Sequence, residues 1–470
     1  MKLKFYIDFS IKKSKIIYSG GKGMNLMSLL NNKRLSKALL ILYMSLVMLN
    51  VFLPDSFVIG IHRLPEGERL NPFIMIIRWF NFVPFVILPI ATLYNRNIFN
   101  KIAVYFCLPI GIIYMCLFCE ILPCLTSPNG TGIVDIRYLP AWLSSFMHNG
   151  VFRGIIFFLT CISEFALIAL IICKNRQVFK FNKKDILPFI ILLVCSIITI
   201  MPIYALEGIF NTYTDFIFSR FSFLHIAWIL ILLLECGLLT YLFKNKSEED
   251  KYILVLVLSL SLFLQFNQLF SSLGELTCKR MPLQLCNIAA YLMLISIVNK
   301  NRKLFLFYIL INVAGGIIAM IVLDAEGHNG ILSKGNVHYI VEHHNVILTP
   351  LMCLFLGIFK PITNKDFKVY AIDFTAYFIT ILVLGTLFNA IESQVANGYF
   401  RCNYLFMFDQ ETATRLLPFA GKLFDIKFTV GHATFYPIIQ IGVYVVFFLI
   451  GTLSFVILKN AVKEKVNENK

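Results

Sequence analysis

Apolar residues in this chain come in long runs separated by short polar stretches, without the period-two alternation of a barrel strand. Lipid offers no hydrogen bonds to an unpaired backbone, so runs of this kind predict helices whose backbone groups are satisfied internally. With about 20 residues needed per crossing, the pattern predicts twelve spans, at 37–55, 73–93, 101–121, 151–172, 186–206, 222–243, 252–270, 281–299, 304–323, 342–359, 368–390 and 431–457. The fold class expected is all-α, a polytopic integral membrane protein of two six-helix halves. A cytoplasmic or interfacial segment, 1–36, precedes a first half at 37–243. The connector 244–251 leads to a second half at 252–457 and a basic cytoplasmic tail, 458–470.

The halves share a faint register. Residues 82–115 match 280–313 in polarity and loop placement, which sets Leu88 against Cys286 and, after similar spacings, His148 against His344. An internal repeat of this kind assigns the chemistry to the second half, where the thiol is present.

Composition agrees with the pattern: 58% of the 470 residues are hydrophobic, only 14% are charged, and mean hydropathy is +0.78. The net charge of +16 invites a nucleic-acid reading, but its placement argues against one. Lysine and arginine collect in short even-numbered connectors and the tail, as in Lys183-Lys184, Lys300-Arg302-Lys303 and Lys459 to Lys470. That asymmetry predicts both termini cytoplasmic and basic ends that touch anionic lipid, with no nucleic-acid partner. The expected location is a bacterial plasma membrane. The first substantial apolar segment follows more than thirty residues and reads as a permanent span, with no separate secretory peptide. Twelve scattered cysteines signal neither a zinc ribbon nor a redox motif, although Cys278 and Cys402, both in predicted outer loops, are a candidate pair.

Candidate chemistry follows from topology. Predicted span eight enters from outside at Met281, so Cys286 lies roughly 8 Å inside it at 1.5 Å per residue. Span ten enters from the same side after His338-Tyr-Ile-Val-Glu342-His343-His344, and Asn403, Tyr404, His432 and the Gln265, Asn267, Gln268 group approach the same layer. Polar groups in apolar surroundings are expensive, so their concentration at one depth marks a site. The enzymatic reading makes Cys286 a nucleophile towards an ester carbonyl and His344, or adjacent His343, its base. Gln284 and Asn403 are candidate oxyanion donors, with Tyr404 and His432 in support. Packing is the ordinary role of a membrane cysteine. A zinc site built from His338, His343 and His344 with Asp324 or Glu326 lacks a specific motif and a clear fourth ligand. The prediction therefore includes no metal and no cofactor. A transporter or a non-enzymatic lipid-associated protein is the competing class, with Arg78, Glu164, Glu235 and Asp373 lining a route or pairing within the bundle.

The segments PLQLCNIAAY, HYIVEHHNVILTP and CNYLFMF together resemble the YwaF-like membrane family over roughly 250–457. The family's Pro-Leu-polar-Leu-Cys pattern falls on Pro282 to Cys286, with Gln284 where histidine is common. Its downstream histidine falls on His344, and its Asn-Tyr motif on Asn403 and Tyr404. Eukaryotic relatives are described as cysteine-dependent phospholipid acyltransferases. The resemblance thus implies acyl transfer or hydrolysis at Cys286 and His344, with membrane phospholipids as donors and a lysophospholipid as acceptor.

Overall fold

The structure, a computed structural model, describes residues 33–53, 71–126, 141–200, 218–269, 283–322, 330–331, 334–395, 402–416 and 421–468. The early part of the chain runs through α1 (Lys33–Phe52), α2 (Pro72–Phe80), α3 (Val83–Tyr94), α4 (Asn97–Cys116), α5 (Phe118–Thr126), α6 (Ala141–Met147), α7 (Gly150–Lys174) and α8 (Lys183–Thr199). The later part opens with α9 (Phe223–Phe243), α10 (Glu248–Leu269), α11 (Leu285–Asn299), α12 (Arg302–Val322) and α13 (Lys334–Phe355). It continues with α14 (Asn364–Val395), α15 (Gln410–Leu416) and α16 (Gly421–Phe424), then β1 (Phe428–Val430) paired antiparallel with β2 (Ala433–Phe435), and α17 (Pro437–Glu468).

The protein is an all-α polytopic membrane protein, and among the described residues eight helical segments are long and apolar enough to cross a membrane, where hydropathy predicts twelve. The four predicted spans outside that set are 186–206, 252–270, 281–299 and 342–359, of which the first and third are helices of only 17 and 15 residues; helix irregularities also fall inside and between spans. The α2–α3 span contains a turn at Asn81-Phe82, and a break at Leu117 separates α4 from α5 inside the predicted span 101–121. Helix α10 begins on Glu248, Glu249, Asp250 and Lys251, and α11 is a short apolar helix of 15 residues. The last predicted span starts six residues late, because 428–435 forms the hairpin and the helix begins at Pro437.

Helix boundaries follow polar caps. Asn71 accepts from the Phe73 N–H and Asn149 from the Phe152 N–H, so each side chain satisfies a first-turn donor that the helix leaves open. Asn182 and Asp185 form a reciprocal capping box on α8. Between α11 and α12 the chain reverses at Lys300, whose φ of 52° ends one helix, while Asn301 Oδ1 accepts from Lys303 and Leu304 N–H to begin the next.

Helix α12 is the centre of the later bundle and packs against α11, α13, α14 and α17. Its run Phe305 to Ile311 is buried on every side, which is why that segment shows no amphipathic period. Outer helices differ: α9 leaves Leu230, Ile231, Leu233 and Leu234 exposed, a surface suited to lipid tails. Early and late parts share one apolar core, with α10 lying against α1, α3 and α8. Arg96 ties that junction by ion pairs to Glu249 at 3.2 Å and Asp250 at 3.0 Å. At another polar end Arg302 grips Asp366 in a bidentate pair of 2.6 and 2.7 Å, fixing α12 to α14.

Candidate active site

The site is built around the start of α11. Gln284 is the last extended residue before the helix, with ψ of 150°, so Cys286 is the second residue of the first turn. The Leu285, Cys286 and Asn287 amides belong to that turn, whose donors have no intrahelical acceptors; the ladder begins with Ile288 N–H to Gln284 O at 2.9 Å. The thiol donates to Asn287 Oδ1 at 3.3 Å. Cys286 is half-buried, and the buried Glu342 carboxylate of α13 lies near enough to act on the thiol electrostatically.

Two supports hold this helix start. From α14, the Tyr377 hydroxyl donates to Leu283 O at 2.6 Å. From the segment after α14, Gln284 donates to Asn403 O at 3.1 Å and accepts from Leu405 N–H at 3.0 Å. Both the nitrogen and the oxygen of the Gln284 amide are thereby engaged with backbone, which positions the helix. Asn403 is also structural in its contacts, its Oδ1 accepting from Phe408 N–H at 2.9 Å. Asn389 pins the same segment by exchanging two hydrogen bonds with the Cys402 backbone, at 2.8 and 3.0 Å. Gly385 allows the close approach, because a Cβ there would strike the Phe408 ring.

Tyr404 is buried beside the site, and Leu405 and Phe406 follow with φ of 53° and 59°. Two consecutive side-chain-bearing residues in the left-handed region are strained, by roughly 1–3 kcal/mol each. The Gln284 and Asn389 clamps hold that strain against the start of α11. Cys402 lies in the clamp with its thiol 3.7 Å from Gly385 O, while its candidate partner Cys278 lies outside the described residues.

The polar run on α13 divides between two neighbouring helices and its own. Successive helix positions turn by about 100°, so residues two apart face nearly opposite ways. Glu342 faces Cys286 of α11. His343 donates from Nδ1 to Tyr339 O of its own helix at 2.7 Å, its ring 4.3 Å from the Tyr339 ring. His344 faces α9, where its Nε2 donates to Glu235 Oε2 at 2.5 Å, with the two side chains 14% and 38% exposed. No hydrogen bond joins Cys286 to His344 among the described residues. Helical phase parts His344 from Cys286, since it lies two positions on from Glu342; α13 itself begins at Lys334, eight residues before the 342 expected of span ten.

His432 is apart from this group, exposed at the turn of the β1–β2 hairpin. The side chains of Gln265, Asn267, Gln268 and His338, and residues Asp324 and Glu326, lie outside the described ones. No group of three metal-ligating side chains occurs among the described residues. One C-x-x-C spacing is present, Cys116 to Cys119, with both thiols exposed where α4 meets α5.

Two contacts were visible in sequence only as residues without partners. Glu342 read as part of an interfacial cluster, and Glu235 as a charge within a span; helical phase along 342–344 is the signal that separates their roles. A further histidine is structural: His225 accepts from Phe221 N–H at Nδ1, 2.9 Å, and donates from Nε2 to Met320 O, 2.5 Å, tying α9 to α12.

Comparison with known proteins found no matching curated protein and no matching solved structure. The model of the TMEM164 family matches residues 217–455, from just before α9 to near the end of α17, and so encloses Cys286, Glu342 and the Glu235–His344 pair. That match covers just over half of the 470 residues, and the chain belongs to the TMEM164 family.

Proposed function

We propose that this multi-pass membrane protein transfers or hydrolyses lipid acyl groups, with Cys286 as the nucleophile and the polar run 342–344 supplying its base. The observation that carries the reading is a half-buried thiol in the first turn of a helix, facing a buried carboxylate from the neighbouring helix. A helix start favours developing negative charge on sulfur, and its open amides are donors for the oxyanion of a tetrahedral intermediate. The YwaF-like pattern around PLQLC supports the same assignment. Gln284, Asn403 and Tyr404 hold the helix start, and the Glu235–His344 pair sets the rotation of α13. A membrane phospholipid is the donor and a lysophospholipid the acceptor, with no cofactor in the scheme. The accompanying topology keeps both termini cytoplasmic in a plasma membrane.

Purified protein in lipid nanodiscs, given a labelled diacyl phospholipid and an unlabelled lysophospholipid, tests this directly. Wild type is expected to move or release label, and Cys286→Ser to lose at least 100-fold of that rate. Equal rates in the two proteins would overturn the assignment.

Transport is the second reading, favoured by Arg153 and Glu164, both buried in the apolar helix α7. It predicts solute flux that survives Cys286→Ser.

A further inference from the structure

We propose that Glu164, midway along α7, is a proton-binding site in the membrane interior. The site is separate from the acyl-transfer chemistry and supplies the ion that the transport reading leaves unnamed.

Helix α7 runs from Gly150 to Lys174, so at 1.5 Å per residue Glu164 lies about 21 Å from one end and about 15 Å from the other. Two polar ties fix the register of α7 on α1: Asn50 Nδ2 donates to Thr160 Oγ1 at 2.8 Å, and Lys174 Nζ donates to Ser36 Oγ at 2.6 Å. Glu164 falls between them and is 1% exposed. It also meets the backbone of α4, where a Cβ at Gly111 would lie 2.9 Å from Glu164 Oε1. Residues Ala103–Cys107 of α4 form a π-helical turn that ends one turn before Gly111. Such turns are rare inside helices and often accompany functional sites.

Among the described residues Oε1 has no hydrogen-bond partner, and no basic side chain pairs with Glu164. An unpaired carboxylate in apolar surroundings is strongly disfavoured, so the site must hold a positive ion. A metal cation needs several oxygen ligands. The hydroxyl one turn away, on Thr160, is already shared between Asn50 and Ile156 O. A proton needs only the carboxyl itself and leaves a neutral acid. The titratable groups near it are Tyr43 of α1, Cys107 of α4 and Cys161 of α7, which carry no charge near neutral pH. Helix α3 adds only apolar side chains from Val83 to Ala91, Glu120 of α5 is exposed, and Arg78 of α2 lies over the Phe82 ring, 5.9 Å from its centroid.

A polar line reaches the carboxyl from one end of α7. Thr160 and Arg153 lie four and eleven positions before Glu164, within about 40° of one line along the helix, and both are buried. In the other direction Leu167, Ile168, Leu170 and Ile171 are buried and apolar.

Dicyclohexylcarbodiimide, an apolar reagent that adds to a carboxyl carrying its proton, tests the site. Full-length protein in nanodiscs is treated from neutral to alkaline pH, with sodium chloride or with a salt of a bulky organic cation, and adducts are located by peptide mass spectrometry. Wild type is expected to carry an adduct on Glu164 whose yield falls by about tenfold per pH unit once the proton is lost. Sodium should leave that yield unchanged, a water-soluble carbodiimide should not modify Glu164, and Glu164→Gln should lack the adduct. The residue is read in the wild-type protein, so the result does not depend on how the variant folds. Absence of an adduct on Glu164 at neutral pH, or a yield that does not change with pH, would overturn the proposal. Protection by sodium would overturn it too, in favour of a metal-cation site. None of these readouts needs acyl transfer or solute flux, so either reading of function can fail while the proton site stands.

Discussion

Replacing Gln284 with leucine keeps approximate side-chain volume and removes both hydrogen bonds to the segment after α14. The two contacts are Asn403 O at 3.1 Å and Leu405 N–H at 3.0 Å, both partly buried. A neutral hydrogen bond contributes about 1 kcal/mol net, and a buried group left without its partner costs about 1–3 kcal/mol. Together the two losses amount to about 2–4 kcal/mol. The strained Leu405–Phe406 turn adds its own tendency to relax once the clamp is gone. At 1.4 kcal/mol per tenfold, the segment should open roughly 30- to 700-fold more often. Hydrogen–deuterium exchange in nanodiscs reads this opening directly. Peptides covering 402–408 are expected to exchange faster by that factor, including the Phe408 amide, which Gln284 does not touch but Asn403 does. Asn389→Ala should accelerate the same peptides from the opposite end of the clamp. Unchanged exchange across 402–408 in Gln284→Leu would refute the clamp.

His225→Ala should lower thermal stability in detergent by about 2–4 kcal/mol, since it leaves the buried Met320 carbonyl and Phe221 amide unpaired; an unchanged melting temperature would deny the tie between α9 and α12. Gly451→Ala places a methyl group against the Tyr370 hydroxyl, which donates to Phe448 O at 3.1 Å, and should cost about 1–3 kcal/mol in the same melt. Asp185 is held below the usual carboxylate range, first by its hydrogen bond to Lys101 at 2.5 Å and then by the Asn182 N–H. Its contribution is therefore complete above the ordinary carboxylate pKa and is lost as pH falls through the depressed value. Melting curves from neutral to acidic pH should be flatter in Asp185→Asn than in wild type, and parallel curves would contradict the pairing.

Hydropathy made the membrane class legible, because burial in lipid and burial in a protein core both demand apolar side chains. It read less well where a helix continues through polar residues. Lys334 to His344 continue α13 outward from its apolar part, so a hydropathy window starts that helix at 342, eight residues late. The opposite error occurs at 431–436, where Thr434, Phe435 and Tyr436 precede an apolar helix but belong to a hairpin and its exit. Cys286 and its polar surroundings stood out in sequence because a thiol near a helix start with Glu342 and two histidines at similar depth is chemically unusual. Which of the three lies towards the thiol depends on helical phase relative to the neighbouring helices, and phase cannot be read until those neighbours are known. Gln284 was an oxyanion candidate on residue type alone; its actual partners lie more than a hundred residues downstream, in a turn with no hydropathy signature.

The central claim is that the Cys286 sulfur carries an acyl group during turnover. Nanodisc-embedded protein incubated with a diacyl phospholipid bearing a labelled fatty acyl chain, quenched in acid and digested, shows whether it does. The account predicts a hydroxylamine-labile acyl group on the peptide containing Cys286, absent from Cys286→Ala. Acyl transfer that proceeds in both proteins with no label on that peptide would contradict it.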